Sequence, residues 1–276
     1  MRNIYIIAIM SVARFACYGQ ATLVASVSGT DRLEVVKNAI HIDEWHEKSF
    51  WPLYGKYSSK YEGLSLQIYQ SLNDVASIGN DVSDQEAYDY CTSLINLRYD
   101  MLNVLQQYYL EIGDEFNGIV ALQFVQTETL LDMMESCRVY ESTPIKQFRF
   151  HSKMISVPEL KAAKYNIIAK ALMLTPEQAS KFYQIYARYE EEVDALLGDD
   201  YSLIGFYAGE ASDYTPALAK HLGGDFLRVM KRELKLKEKY FMEFNNAIGA
   251  PTAARFLAWE DYYSVVNKMY AWADAP

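Results

Sequence analysis

Glu128 and Glu260 are the residues of this 276-residue chain whose type and spacing best suit metal chemistry. Each follows a phenylalanine, Phe124 or Phe256, by four positions, one turn along the same helix face. Two carboxylates facing each other inside a helical bundle could ligate a metal, as in di-iron bundles. Those bundles add a Glu with a His three residues later, and the sequence holds no such pair. Its four histidines, His41, His46, His151 and His221, never fall three or four apart. No metal site is expected, and each glutamate is assigned to a buried ion pair or to an exposed helix position.

Nucleophilic chemistry has no better footing. There is no Gly-x-Ser-x-Gly elbow, and neither Cys91 nor Cys137 has a histidine near it in sequence. Gly223-Gly224 is a lone pair of glycines, not a phosphate loop. The basic run Lys231 to Lys239 carries Glu233 and Glu238 at helical spacing, which reads as a solvated face. No catalytic, cofactor-binding or metal-binding residue is assigned, and the chain is read as non-enzymatic with no cofactor.

The elements that position these residues follow a repeat. An apolar residue, a helix-capping residue and a Phe seven positions after the cap occur four times: Ile42-Asp43 to Phe50, Phe116-Asn117 to Phe124, Leu174-Thr175 to Phe182 and Ile248-Gly249 to Phe256. The first and third copies are 132 residues apart (43 to 175), and so are the second and fourth (117 to 249). The same offset superposes Ala39 on Ala171, Tyr54 on Tyr186, Tyr57 on Tyr189, Tyr108 on Tyr240, Glu111 on Glu243 and Glu128 on Glu260. The chain is a tandem duplication by this reading. Its two units are 22–144 and 158–276, joined by a linker at 145–157 and preceded by a signal segment at 1–21.

Within each unit the expected elements are helices. Asp43, Asn117 and Thr175 are competent N-caps, Gly249 a weaker one, and Gln178 completes a capping box with Thr175 ahead of Pro176. Ser83 with Glu86 forms another box, and Thr215-Pro216 a further start. The expected helices run from Asp31 to His41, Asp43 to Ala76, Asp84 to Glu115 and Asn117 to Glu141. In the second unit they run from Pro158 to Met173, Pro176 to Leu197, Pro216 to Ala247 and Ala250 to Ala273. Apolar residues recur at helical spacing and no strict alternation appears, so the fold class is all-α, two tandem units of about four helices each arranged as a pseudo-two-fold pair. Pro52 should kink or end the first long helix, and Asp199 to Asp213 should form a loop or broken helix after Gly198.

Composition narrows the partners. Acidic residues number 36 against 26 basic ones, and losing Arg2 and Arg14 with a cleaved leader moves the formal charge from −10 to −12. Nucleic acid and anionic lipid are poor partners for such a surface. Met1-Arg2 followed by the apolar run Ile4 to Ala13 has the shape of a secretory signal, and is too short for a stable membrane span. Cys17 lacks the Leu and small residues that precede a lipidation site. Export would place the mature chain in a periplasmic or extracellular compartment, where Cys91 and Cys137 could pair or remain free thiols.

Twenty-three tyrosines invite a binding surface. Phe50, Tyr54 and Tyr57 fall at i, i+4 and i+7, which describes one buried helix face. Trp51, Tyr61 and Tyr183 lie off that stripe and are the candidate partner-binding residues.

The Leu-Thr-Pro-Glu-Gln string at 174–178, ending one helix and opening a long one, resembles the motif of the Spy and CpxP family of periplasmic proteins. That family carries the motif twice, and the second copy here would be Ile248 to Phe256. The other three copies depart from it, with Gly249-Ala250-Pro251-Thr252, Asp43-Glu44-Trp45-His46 and Asn117-Gly118-Ile119-Val120 in place of Thr-Pro-Glu-Gln. The resemblance implies a four-helix, hairpin-like protomer dimerising into a curved cradle. It also implies roles in envelope stress and in holding unfolded proteins without ATP. A duplicated chain would form that cradle from its own halves. The expected function is an exported, chaperone-like binding protein whose partners are unfolded or envelope proteins. The alternative is a small-molecule or metal-sensing helical module.

Overall fold

The computed structural model describes residues 32–79, 81–143, 164, 167–168, 171–207 and 214–274. The signal segment 1–21 with Cys17, the linker 145–157 with His151, and most of the helix expected over 158–173 lie outside the described residues. Among those described there are seven helices and no strand: α1 (Arg32–Ala39), α2 (Glu47–Ala76), α3 (Asp84–Glu115), α4 (Gly118–Ser142), α5 (Pro176–Tyr207), α6 (Pro216–Ile248) and α7 (Ala250–Asp274). The protein is all-α. Among the described residues no helix is long and apolar enough to cross a membrane.

The helix ends follow capping chemistry. Ser83 and Glu86 exchange hydrogen bonds in a complete capping box at the start of α3, and Asn117 Oδ1 accepts from the Ile119 and Val120 amides at the start of α4. Thr175 Oγ1 accepts from Gln178 N while Gln178 Oε1 accepts from Thr175 N, which opens α5. Gly249 is the C-cap of α6 at φ +87°, a region costly for any residue with a Cβ, and its carbonyl then accepts from Ala253 in α7.

Three expectations are corrected. Asp43 does not cap α2: its carboxylate accepts from His46 N in a turn just before the helix, and His46 holds the cap position without a side-chain bond. Pro52 does not end α2, because it sits in the second turn, where it forfeits one amide donor and the helix continues to Ala76. Gly198 does not interrupt α5 either. The helix continues through Asp199 and Asp200 to Tyr207, and nothing approaches within 4 Å of where a Gly198 Cβ would be, so an exposed glycine costs too little to break a 32-residue helix. Residues 208–213, the rest of the expected loop, lie outside the described residues.

Apolar side chains from all seven helices form one buried cluster. In it α3, α4, α6 and α7 all touch one another, α2 packs on α3 and α4, and α5 packs on α6. The aromatic contacts recur at the 132-residue offset. Phe50 and Tyr54 stack at 6.2 Å, as Phe182 and Tyr186 do at 5.2 Å. Tyr57 meets Tyr108 edge-on at 5.5 Å and Phe124 at 4.8 Å, while Tyr189 meets Tyr240 at 5.0 Å and Phe256 at 5.5 Å.

Contacts between the halves also repeat in exchanged form. Tyr109 on α3 donates to the Lys220 carbonyl on α6, and Phe241 on α6, which is 109 shifted by 132, lies 5.9 Å from Tyr88 on α3, which is 220 shifted back. Gly118 lies against Pro216, and Gly249 beside Asp84, again a shifted pair within one residue.

Candidate functional site

Each half buries one glutamate on its last helix and neutralises it with a cation from near the half's beginning. Glu128 of α4 is 1% exposed. Its carboxylate accepts from Tyr54 Oη at 3.0 Å and Tyr57 Oη at 2.8 Å on α2, and from Arg32 Nη2 on α1 at 2.5 Å. Arg32 Nη1 goes on to Glu135 at 2.7 Å, and its guanidinium stacks 4.0 Å from the Tyr61 ring.

Glu260 of α7, 3% exposed, is met by Lys164 Nζ at 2.8 Å. That ammonium also reaches Glu190 at 2.6 Å and lies 4.2 Å from the centre of the Tyr263 ring. Residues 32 and 164 are themselves 132 apart, so the cations share the offset of the two glutamates. Of the two assignments left open for Glu128 and Glu260, the buried ion pair is the one realised.

A third group of charges ties the halves together. Asp261 on α7 accepts from Lys237 Nζ on α6 at 2.6 Å and from Tyr140 Oη on α4 at 3.1 Å, and pairs with Arg98 on α3 at 2.6 Å. Lys237 also reaches Glu233 at 3.1 Å, and Glu233 accepts from Ser264 Oγ at 2.9 Å and from Lys268. The run Lys231 to Lys239 is therefore not wholly a solvated face: Lys237 and Glu233 turn inward, since their four-residue spacing puts them on one helix face, toward α7.

The protonation of these groups follows from burial set against partners. Burial pushes the Asp132 carboxyl up despite nearby Arg98 and Arg32. Burial also pushes Glu260 up against the pull of Lys164. Asp261 goes the other way, because Arg98 and Lys237 outweigh its burial and hold it below the usual carboxylate range. Glu233 is held down in the same manner by Lys237 and Lys268. Burial drives Tyr57 and Tyr61 well above the ordinary phenol range, with Glu128 and Asp132 adding to it, so both remain hydroxyl donors.

Two spaces adjoin these networks. A cavity of about 30 Å³ between α5, α6 and α7 is bordered by Glu233, Lys237, Glu260 and Ser264, and has room for one water. Glu260 Oε2, which has no hydrogen-bond partner among the described residues, is where such a water would donate. The larger space is an open groove of about 830 Å³ between α1 and α2, lined by Lys37, Glu47, Trp51, Tyr54, Gly55 and Glu62 among others.

The expected partner-binding residues part company here. Trp51 is half-buried in the groove wall, with Lys37 Nζ 5.6 Å from its ring. Tyr183, its counterpart in the second half, is 36% exposed. Tyr61 is not a surface residue. It is 3% exposed and donates to Asp132 at 3.1 Å and Glu135 at 3.0 Å, because position 61 continues the stripe of Phe50, Tyr54 and Tyr57 by one further turn. Among the described residues the most exposed large aromatic is Trp45, at 92%, in the turn before α2.

Sequence reasoning misses Arg32 and Lys164, although the repeat offset that superposes Glu128 on Glu260 superposes them as well. Cys91 is a free, buried thiol, so it does not pair with Cys137; burial pushes Cys137 up to about 12, which leaves it protonated at neutral pH. Among the described residues no group of three or more His, Cys, Asp or Glu side chains could hold a metal ion. No protein-family model, no curated protein and no solved structure matches the chain.

Proposed function

We propose that this chain is an exported, non-enzymatic binding protein that holds segments of other polypeptides, unfolded or envelope proteins, in a chaperone-like way. The observation that carries this is the open groove between α1 and α2 with Trp51 in its wall. A half-buried aromatic ring flanked by open volume supplies rigid apolar contact area at little entropic cost. Residue types around it recur in the second half, where Tyr183 stands for Trp51, Tyr186 for Tyr54 and Asp194 for Glu62. The exchanged contacts between α3 and α6 support a pseudo-two-fold pair, the single-chain counterpart of the Spy and CpxP cradle that the sequence resembles. A periplasmic or secreted location belongs to the same proposal.

The test is suppression of aggregation of an unfolded test protein by the full mature chain without ATP, at stoichiometric ratios. Suppression that is lost in the Trp51→Ala, Tyr183→Ala double variant, with its helical content intact, is the expected result. Absence of suppression at every ratio overturns the holdase reading. The groove volume also falls within the roughly 300–1,000 Å³ of small-molecule sites, which favours a ligand-sensing module as the second reading. A rise in melting temperature with one compound of a metabolite panel would select it.

A further inference from the structure

We infer that the groove recognises positively charged segments of a partner polypeptide, a specificity that rests on the binding role proposed above. Its α2 wall is one helical stripe, Glu47, Trp51, Gly55, Ser58 and Glu62, stepping by three or four residues. At 1.5 Å per residue the stripe from Glu47 to Glu62 is about 22 Å long. Roughly six or seven residues of extended chain cover that distance. The stripe ends in a carboxylate on either side and holds an indole between them.

The charges of the groove decide the sign of its guest. Arg32 borders it, but its guanidinium is neutralised by Glu128 and Glu135. Glu47 and Glu62 are exposed, and neither forms an ion pair with a described residue; the Glu62 carboxylate accepts from Ser58 Oγ at 3.2 Å. Lys37, exposed on the short α1, already places a cation 5.6 Å from the Trp51 ring, within the range of cation–π attraction. A Lys or Arg of a partner can take that place, so Lys37 is an internal stand-in for the guest. The formal charge of −10 draws in the same kind of partner over longer range. In the second half Tyr183, Ala187 and Asp194 occupy the positions of Trp51, Gly55 and Glu62, while Ala169 stands where Lys37 does, so the stand-in cation belongs to the first half.

Gly55 offers a clean test, because a Cβ there would meet nothing within 4 Å. Gly55→Leu extends from this open position into the groove and exchanges a poor helix former for a good one, so its melting temperature should not fall. The measurement is anisotropy of a labelled peptide alternating Lys and Leu, titrated with the full chain at two salt concentrations. Peptides with Gln or Glu in place of Lys serve as comparisons. The Lys peptide should bind about tenfold more tightly than the Gln peptide, and Gly55→Leu and Trp51→Ala should each remove about that factor. Glu47→Gln with Glu62→Gln should flatten the salt dependence.

Equal binding of all three peptides, lost in Gly55→Leu, keeps the binding role and overturns the charge preference. Lys-peptide binding unchanged in Gly55→Leu means attraction by net charge alone and overturns the site. Spermidine competing at the same concentration as the peptide overturns the polypeptide assignment. No binding of any peptide overturns the specificity and the binding role together.

Discussion

At the scale of residues, the chain invests its polar chemistry in buried pairs. A carboxylate such as Glu128 is tolerated at 1% exposure because one guanidinium and two phenols satisfy it. Such a pair adds little net stability over apolar packing, but breaking it leaves an uncompensated charge. Arg32→Ala should therefore cost about 3–5 kcal/mol in urea denaturation, and Arg32→Lys clearly less, since a lysine does this work at position 164. Equal losses in the two variants would show that the guanidinium geometry, and not the charge, is what Glu128 requires.

The pH dependence of stability follows from two opposed pairs of carboxyls. Asp132 and Glu260 have raised folded-state values, so the folded state takes up protons more readily than the unfolded chain, and stability should rise as pH falls from 7 toward about 5. Asp261 and Glu233 have lowered values, so their stabilisation is full above the ordinary carboxyl range, near pH 4, and is lost as pH falls further toward their folded values. Thermal melts by circular dichroism should therefore rise as pH falls from neutral and fall again below the ordinary carboxyl range. Asp132→Asn should flatten the neutral limb without lowering the melting temperature at pH 7.

At the scale of elements, long helices meet at glycines and are set in register by caps. Gly118 opens α4 directly against α6, where any Cβ would overlap the Pro216 carbonyl and the Lys220 amide. Because backbone cannot give way as a side chain tip can, Gly118→Ala should cost about 3 kcal/mol, the upper end of overpacking losses. Gly249→Ala should cost about 1–2 kcal/mol, through the positive φ alone, because its new methyl meets only Asp84 Oδ1 at 3.6 Å. Chemical denaturation of both variants ranks the two mechanisms, and a reversed order would mean that α4 can slide away from α6. Gln178 links capping to tertiary structure, since its side-chain amide donates to the Ile248 carbonyl at the end of α6. The equivalent place in the first half is held by His46, whose ring meets Phe116 at 5.6 Å. A hydrogen bond and a ring contact thus do the same task of joining the start of one long helix to the end of the next.

At the scale of the whole molecule, the halves share their interior. Buried residues of α3 and α4 are continuous with those of α6 and α7, and Asp261 draws partners from α3, α4 and α6 at once. A chain of residues 22–144 expressed alone would expose that apolar face and strand Arg98 without Asp261. It should show reduced helicity, bind a hydrophobic dye and lack a cooperative melt, and mixing it with residues 145–276 should restore the melt. Two fragments that each melt cooperatively alone would mean that the contacts between halves are secondary.

Much of this was legible in the sequence because it depends on local periodicity. Capping residues and apolar spacing are local, so the start and end of α3 and the starts of α5, α6 and α7 stand where the sequence placed them. The repeat offset marked the aromatic positions that meet in each half. What local pattern cannot carry is which long side chain crosses from one helix to another. Tyr61 continues the stripe of Phe50, Tyr54 and Tyr57, so its burial is local pattern, but its bonds to Asp132 and Glu135 on α4 are not. Glu128 and Glu260 read equally well as exposed or paired until α1 brings Arg32 to one, and Lys164 meets the other. The helical composition and the 132-residue offset were determined by the order of residues along the chain. The burial of charge, the groove beside Trp51 and the bond between the halves were decided only by packing, because they depend on groups of different helices meeting in space, as Arg98 of α3 and Asp261 of α7 do across 163 positions (98 to 261).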